Sequence, residues 1–308
     1  MDPVLRAALT SWDLRIGLLL LLFLLAVAYV RGWWRVRQRI QSRPGGRTDN
    51  RWQAASRWRP LAYVGGLFIM GLALMSPIDV LSGQLFTMHM VQHVLLVMVV
   101  PPLLLLANPL PFFLWGLPKR IRLRVAELFK PEARFRYWLK RTTGAGVVWM
   151  LYVIFYWGWH DPNAYDLALR NALVHDLEHI TFFGTSLLFW WHVIGAGPRV
   201  HRPFSRPARF AYLISAIPIN MFAGIAIAFA QEPLYSYYEA MPRLWGLSVM
   251  DDQRIAGVIM WVPGSMMYMI GALALVAAWL QNESTKPPLP ESVWATDEAL
   301  MAPGWKER

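Results

Sequence analysis

Two pairs of histidines, each spaced by four residues, are the chemically distinctive feature of this chain: His89 and His93 in MHMVQH, and His175 and His179 in HDLEH. On a helix, residues four apart share a face and lie about 6 Å apart along the axis, so each pair presents two imidazoles to one volume. Imidazole suits Zn, Cu, Fe and Ni. The run His175-Asp176-Leu177-Glu178-His179 also matches H-x-x-E-H, a pattern found in one class of zinc peptidase. A peptidase needs a third ligand, an open coordination position and a substrate cleft, and no soluble catalytic domain is evident. Glu178 lies about 100° round a helix from His179, so it need not face a metal that both histidines bind. The motif reads better as half of a metal-binding constellation, with Asp176 and Glu178 as candidates for orienting the rings.

Haem is a rival. Two haems stacked across a bilayer need axial histidines far apart on each helix, and pairs about 6 Å apart cannot hold two porphyrins within one helix pair. One haem leaves two histidines unexplained. The spacing favours one compact centre, or two metals close together. The chain has no cysteine, which limits a metal site to His, Met, carboxylate, carbonyl or water. Met88 and Met90 flank the first pair and Met250 precedes Asp251, Asp252 and Gln253, so thioether neighbours lean the expectation toward copper. The plain alternative is that histidines serve packing. His192 is read that way, because thirteen residues after His179 it falls on another helix face at about 100° per residue.

The elements that position these side chains follow from composition. Hydrophobic residues make up 56% of the chain and charged residues 16%, a balance that points to membrane. The net charge of +11 does not indicate nucleic acid, because basic residues alternate with long apolar runs. With about 20 apolar residues needed per crossing, spans are expected at roughly 15–34, 61–80, 88–107, 143–160, 173–195, 208–230 and 255–280.

Loop charge gives a direction. Arg35 to Arg59 crowd the first loop, Lys119 to Arg141 the third, and Arg199 to Arg209 the fifth. The second loop has no Lys or Arg, the fourth has only Arg170, and the sixth has Arg243 and Arg254 against four acids. Positive loops stay in the cytoplasm. The expectation is an all-α, seven-helix transmembrane domain over 1–281, N-terminus outside, and a loosely ordered cytoplasmic tail over 282–308. On that topology His89, His93, His160, His175 and His179 all come to the outer face, level with Asp176 and Asp252. Polar groups near lipid are costly and tend to be functional.

Three stretches carry a resemblance. MHMVQHVLLVMVVPPLLLLANP at 88–109, WHDPNAYDLALRNALVHDLEHITFFGTSLLFWWHVIG at 159–195 and PRLWGLSVMDDQRIAGVIMWVPG at 242–264 resemble the signatures of the CtaG family, assembly factors for caa3-type cytochrome c oxidase. The resemblance spans about residues 12 to 281. It implies a non-catalytic role in the bacterial inner membrane, with oxidase subunits and periplasmic copper chaperones as partners beside membrane lipid. The matching positions are His89, His93, His160, Asp161, His175, Asp176, His179, Asp252 and Gln253. A membrane oxidoreductase and a metal-independent scaffold stay open at this point.

Overall fold

The computed structural model describes residues 10–42 and 56–284. The described residues form helices joined by turns, with no strand among them. Helix α1 (Ile16–Gln41) precedes α2 (Trp58–Met75) and the short α3 (Pro77–Ser82). Helix α4 (Phe86–Val94) passes through a widened π turn at Leu95–Val99 into α5 (Val100–Leu106). Next come α6 (Pro109–Gly116), α7 (Lys119–Leu128), α8 (Arg134–Thr142), α9 (Ala145–Trp159), α10 (Pro162–Arg170) and α11 (Ala172–Ile194). The remaining helices are α12 (Arg206–Ile214), α13 (Ala216–Ala228), the single turn α14 (Ser236–Glu239) and α15 (Val249–Ser284).

Five stretches are long and apolar enough to cross a bilayer: Ile16–Gln41, Trp58–Met75, Phe86–Leu106, Arg206–Ala228 and Val249–Ser284. The fourth and fifth expected spans fall short of that measure for different reasons. Helix α9 is apolar but has 15 residues, or about 22 Å against a hydrocarbon core of about 30 Å. Helix α11 has the length, with 23 residues, but His175, Asp176, Glu178 and His179 occupy its first turns. The last helix continues past the expected boundary at residue 281 to Ser284. The rest of the expected tail, 285–308, lies outside the described residues, as do Arg43, Arg47 and Arg51 of the first basic loop.

The apolar surface is turned outward. Leu19, Leu20, Phe23 and Leu24 of α1 are each half exposed or more, which lipid matches and water does not. Lipid supplies no hydrophobic drive between helices, so close backbone approach takes over. Helices α13 and α15 meet at Gly224 and Gly257, where a Cβ on Gly257 would stand 2.5 Å from the Ala228 amide nitrogen.

One proline break is repaired by a neighbour. Pro101 has no amide hydrogen for the Val97 carbonyl, and the Ser186 hydroxyl of α11 donates to that carbonyl instead. At the α12–α13 junction Trp149 Nε1 donates to Ser215 Oγ at 2.9 Å, and Ser215 donates to the Tyr212 carbonyl at 2.8 Å.

Two helical lines give the molecule its polarity. Both α4–α5 and α11 start at the histidine pairs and finish at a cavity of about 750 Å³ lined by Leu105, Ile194, Arg59, Arg122 and Arg199. Arg136 on α8 donates to the Arg199 carbonyl at 3.0 Å. Residues of the three basic loops therefore meet at one end. From His179 to Ile194, at 1.5 Å per residue, is about 22 Å.

Candidate metal centre

Helix α4 is held at its first turn from outside itself. Its amides at Phe86 and Thr87 donate to the two carboxylate oxygens of Asp252 on α15, at 2.8 and 2.9 Å. One turn further His89 and His93 face α11, both buried. Asn171 caps α11 by accepting from the amides of Leu173 and Val174, and His175, Glu178 and His179 then face α4.

The facing side chains interlock. Ring centroids of His89 lie 5.4 Å from His175 and 6.2 Å from His179, and those of His93 and His179 are 5.5 Å apart. Ligand nitrogens of His89, His175 and His179 lie within 4.8 Å of one another, and so do ligand atoms of His89, His93 and Glu178. His89 belongs to both sets. The Glu178 carboxylate is 3.6 Å from His93 Nε2 and 4.0 Å from His89 Nε2.

Hydrogen bonds decide which nitrogen each ring can offer. Tyr238 donates its hydroxyl proton to the Ser82 carbonyl at 2.9 Å. Burial pushes the Tyr238 and Tyr165 phenols well above their ordinary range, so both stay protonated. With the Tyr238 proton spent, His89 Nδ1, 3.2 Å from that oxygen, is the donor in their contact. His89 Nε2 then carries a lone pair. His93 Nε2, 2.9 Å away, must donate its hydrogen to it.

The other side is left unsatisfied. Both oxygens of Glu178, Nε2 of His175 and Nε2 of His179 are buried with no hydrogen-bond partner. An unmet buried polar atom costs about 1–3 kcal/mol, and such groups are rare without a reason. A cation among them removes that cost, because carboxylate oxygens and unprotonated imidazole nitrogens are Lewis bases. The donor set is imidazole plus carboxylate, within the range that takes Cu or Zn. His175 is half-buried where the others are buried, and marks the solvent side.

The structure sorts the expected site residues. His89, His93, His175 and His179 come together. His160 stands beside them, its ring 6.5 Å from that of His93. Asp176 does not join: its exposed carboxylate pairs with Arg15 at 3.6 Å, and Arg15 also holds Asp79 at 3.2 Å. Asp252 does not join either, because both its oxygens serve the α4 amides. Glu178, expected as a candidate for orienting the rings and not as a ligand, faces the imidazoles. It stands three residues after His175, a spacing that shares a helix face as well as four does. Tyr165 and Tyr238, on the short α10 and α14, carry no sequence pattern that marks them. His192 donates from Nε2 to the Thr143 carbonyl at 2.9 Å, away from the centre.

The family model described as cytochrome c oxidase caa3 assembly factor (Caa3_CtaG) matches residues 27–282. The chain belongs to that family. Among curated proteins this caa3 assembly factor family member is similar to uncharacterized proteins of Mycobacterium bovis and Mycobacterium tuberculosis, each 26% identical over 294 residues, or 91% of this chain and 41% of the relative. An uncharacterized protein of Mycobacterium leprae is 26% identical over 268 residues, covering 84% of this chain and 38% of its own length. The chain thus spans about two-fifths of the length of these relatives. No solved structure matches the chain.

Proposed function

We propose that this chain is an assembly factor for cytochrome c oxidase that binds copper at the His89–His175–His179 centre and passes it to an oxidase subunit. In this reading the protein crosses the bacterial inner membrane seven times, with α9 and α11 completing the set, its first residues outside and its last in the cytoplasm. Family membership supports the assembly role. The meeting of arginines from three loops at the end opposite the histidines supports the orientation. Copper is cargo here, received from periplasmic chaperones and given up to the oxidase, and no turnover chemistry is assigned.

One observation carries the copper reading: the imidazoles of His89, His175 and His179 converge beside the Glu178 carboxylate, and both Glu178 oxygens and the Nε2 atoms of His175 and His179 are buried and unmet. The half-buried His175 gives the ion a way in and out, as a delivery site requires. The test is metal analysis of the purified full chain after copper loading, beside a His175→Ala/His179→Ala variant. The variant is expected to lose the copper bound at this centre. Equal copper in both preparations removes the reading.

A second reading has the position of Glu178 in its favour, since a metallohydrolase places such a carboxylate beside its metal. The cavity next to His93 is about 20 Å³, room for a water-sized occupant and not for a peptide. Peptide or ester hydrolysis by the metal-loaded chain, abolished by Glu178→Gln, would establish it over copper delivery.

A further inference from the structure

One turn deeper than the outer centre, α4, the π turn, α9, α11, α13 and α15 enclose that same small cavity. Its lining includes His93, His160, Met90, Met98 and Met260, with Phe182 among its apolar walls. All three methionines are buried.

The two histidines present bare nitrogens. His160 Nδ1 donates to the Tyr156 carbonyl at 2.6 Å, so its Nε2 carries the lone pair, and that atom is buried without a partner. His93 spends its Nε2 hydrogen on His89, so its Nδ1 carries the lone pair, and that atom is also buried without a partner. The cavity's other polar side chains leave these two acceptors unanswered, because Tyr156 donates to Asn220 Oδ1 and Asn220 Nδ2 donates to the Met260 carbonyl and Ser265 Oγ. Rings facing one another across a shared ion, with metal–nitrogen bonds of about 2.0 Å, have centroids roughly 6 Å apart. Those of His93 and His160 are 6.5 Å apart.

A water molecule could answer two lone pairs, but it makes no use of thioethers, which accept hydrogen bonds weakly. Three methionines drawn from two helices around two bare imidazoles make a different donor set. Thioether and imidazole together select a soft monovalent ion over a hard divalent one. The outer centre, with its carboxylate, is the harder of the two.

We propose that this cavity is a second metal site, taking one copper(I) ion on His93 Nδ1 and His160 Nε2 with thioether sulfur from Met90, Met98 and Met260. It is separate from the His89–His175–His179 set, and His93 Nε2 still faces Glu178 when the inner site is filled. When His89 Nε2 is taken by an outer ion, the Glu178 carboxylate is the acceptor left for the His93 Nε2 hydrogen, and His93 Nδ1 keeps its lone pair.

The test is copper(I) titration of the purified full chain in detergent under reducing conditions, with X-ray absorption at the copper edge. The wild-type chain is expected to show sulfur as well as nitrogen around copper. The His175→Ala/His179→Ala variant should lose the outer equivalent and keep the sulfur signal, which separates this site from the proposed delivery centre. Met90→Leu/Met98→Leu/Met260→Leu, near volume-conserving changes, should lose the sulfur signal and one equivalent of copper. Copper with no sulfur neighbour in the wild-type chain overturns the proposal, with no dependence on how the variants fold. So does unchanged stoichiometry in a folded methionine variant.

Discussion

The Asp252 carboxylate caps a helix that it does not belong to: it accepts the Phe86 amide proton at 2.8 Å from across the interface between α15 and α4. Its second oxygen takes the Thr87 amide at 2.9 Å. The last helix thereby fixes the height and rotation of the helix that bears His89 and His93. Asp252→Ala should lower stability by about 1–3 kcal/mol, read by thermal unfolding in detergent, and reduce copper retention with it. Asp252→Asn keeps one acceptor oxygen and should fall between.

Glu178→Gln should move two measurements in opposite directions. Without metal, exchanging a buried and unpaired carboxylate for a neutral amide should raise stability by about 1–3 kcal/mol. With copper, the loss of the negative group beside the imidazoles should weaken binding about 10–100-fold. Thermal melts of the metal-free protein and a chelator competition read the two effects. A residue that serves packing alone predicts no such split.

Burial lifts the Asp79 carboxyl above its ordinary range, and the Arg15 guanidinium and the Gln92 amide, at 3.2 and 2.7 Å, pull it part of the way back. A carboxyl held above its unfolded value of about 3.9 binds more protons folded than unfolded. Its stabilising contribution is full below that value and is lost as pH rises through the folded one. Arg15→Ala removes the counter-charge and moves the folded value higher. As pH rises above the ordinary carboxylate range, the variant should lose more thermal stability than the parent. Asp79→Asn in the same background should flatten the difference.

Gly257→Leu should disrupt the crossing of α13 and α15, because even the first side-chain carbon meets the Ala228 backbone at 2.5 Å. Overpacking of this kind costs about 1–3 kcal/mol or more. The expected result is a lower melting temperature and lower yield of folded protein. Gly65→Leu, whose Cβ would meet nothing within 4 Å, is the control.

The histidine pairs were legible in the sequence because a four-residue spacing means one thing on a helix. Their convergence needed only two neighbouring helices, which long apolar runs already imply. For Glu178 the angle taken from His179 left its facing open, where the three-residue step from His175 puts it on the shared face. Asp176 and Asp252 sit at the expected level, but level does not say what a carboxylate faces, and Arg15 and the α4 amides claim them. Tyr165 and Tyr238 lie on one- to three-turn helices between the apolar runs, too short to show a period. The expected crossings at 143–160 and 173–195, which fall outside the five long apolar stretches, illustrate the same limit. One is short, and the other carries its chemistry in its opening turns.

The hydrogens running from His93 through His89 and Tyr238 to the Ser82 carbonyl all point the same way. Reversing one of them leaves two acceptors or two donors face to face, so the order behaves as a single unit. A phenol on a one-turn helix, making no direct approach to a bound ion, thus dictates which edge of an imidazole is open for business. Tuning of affinity in this fold can therefore proceed from the short helices that hold Ser82 and Tyr238, leaving every histidine untouched.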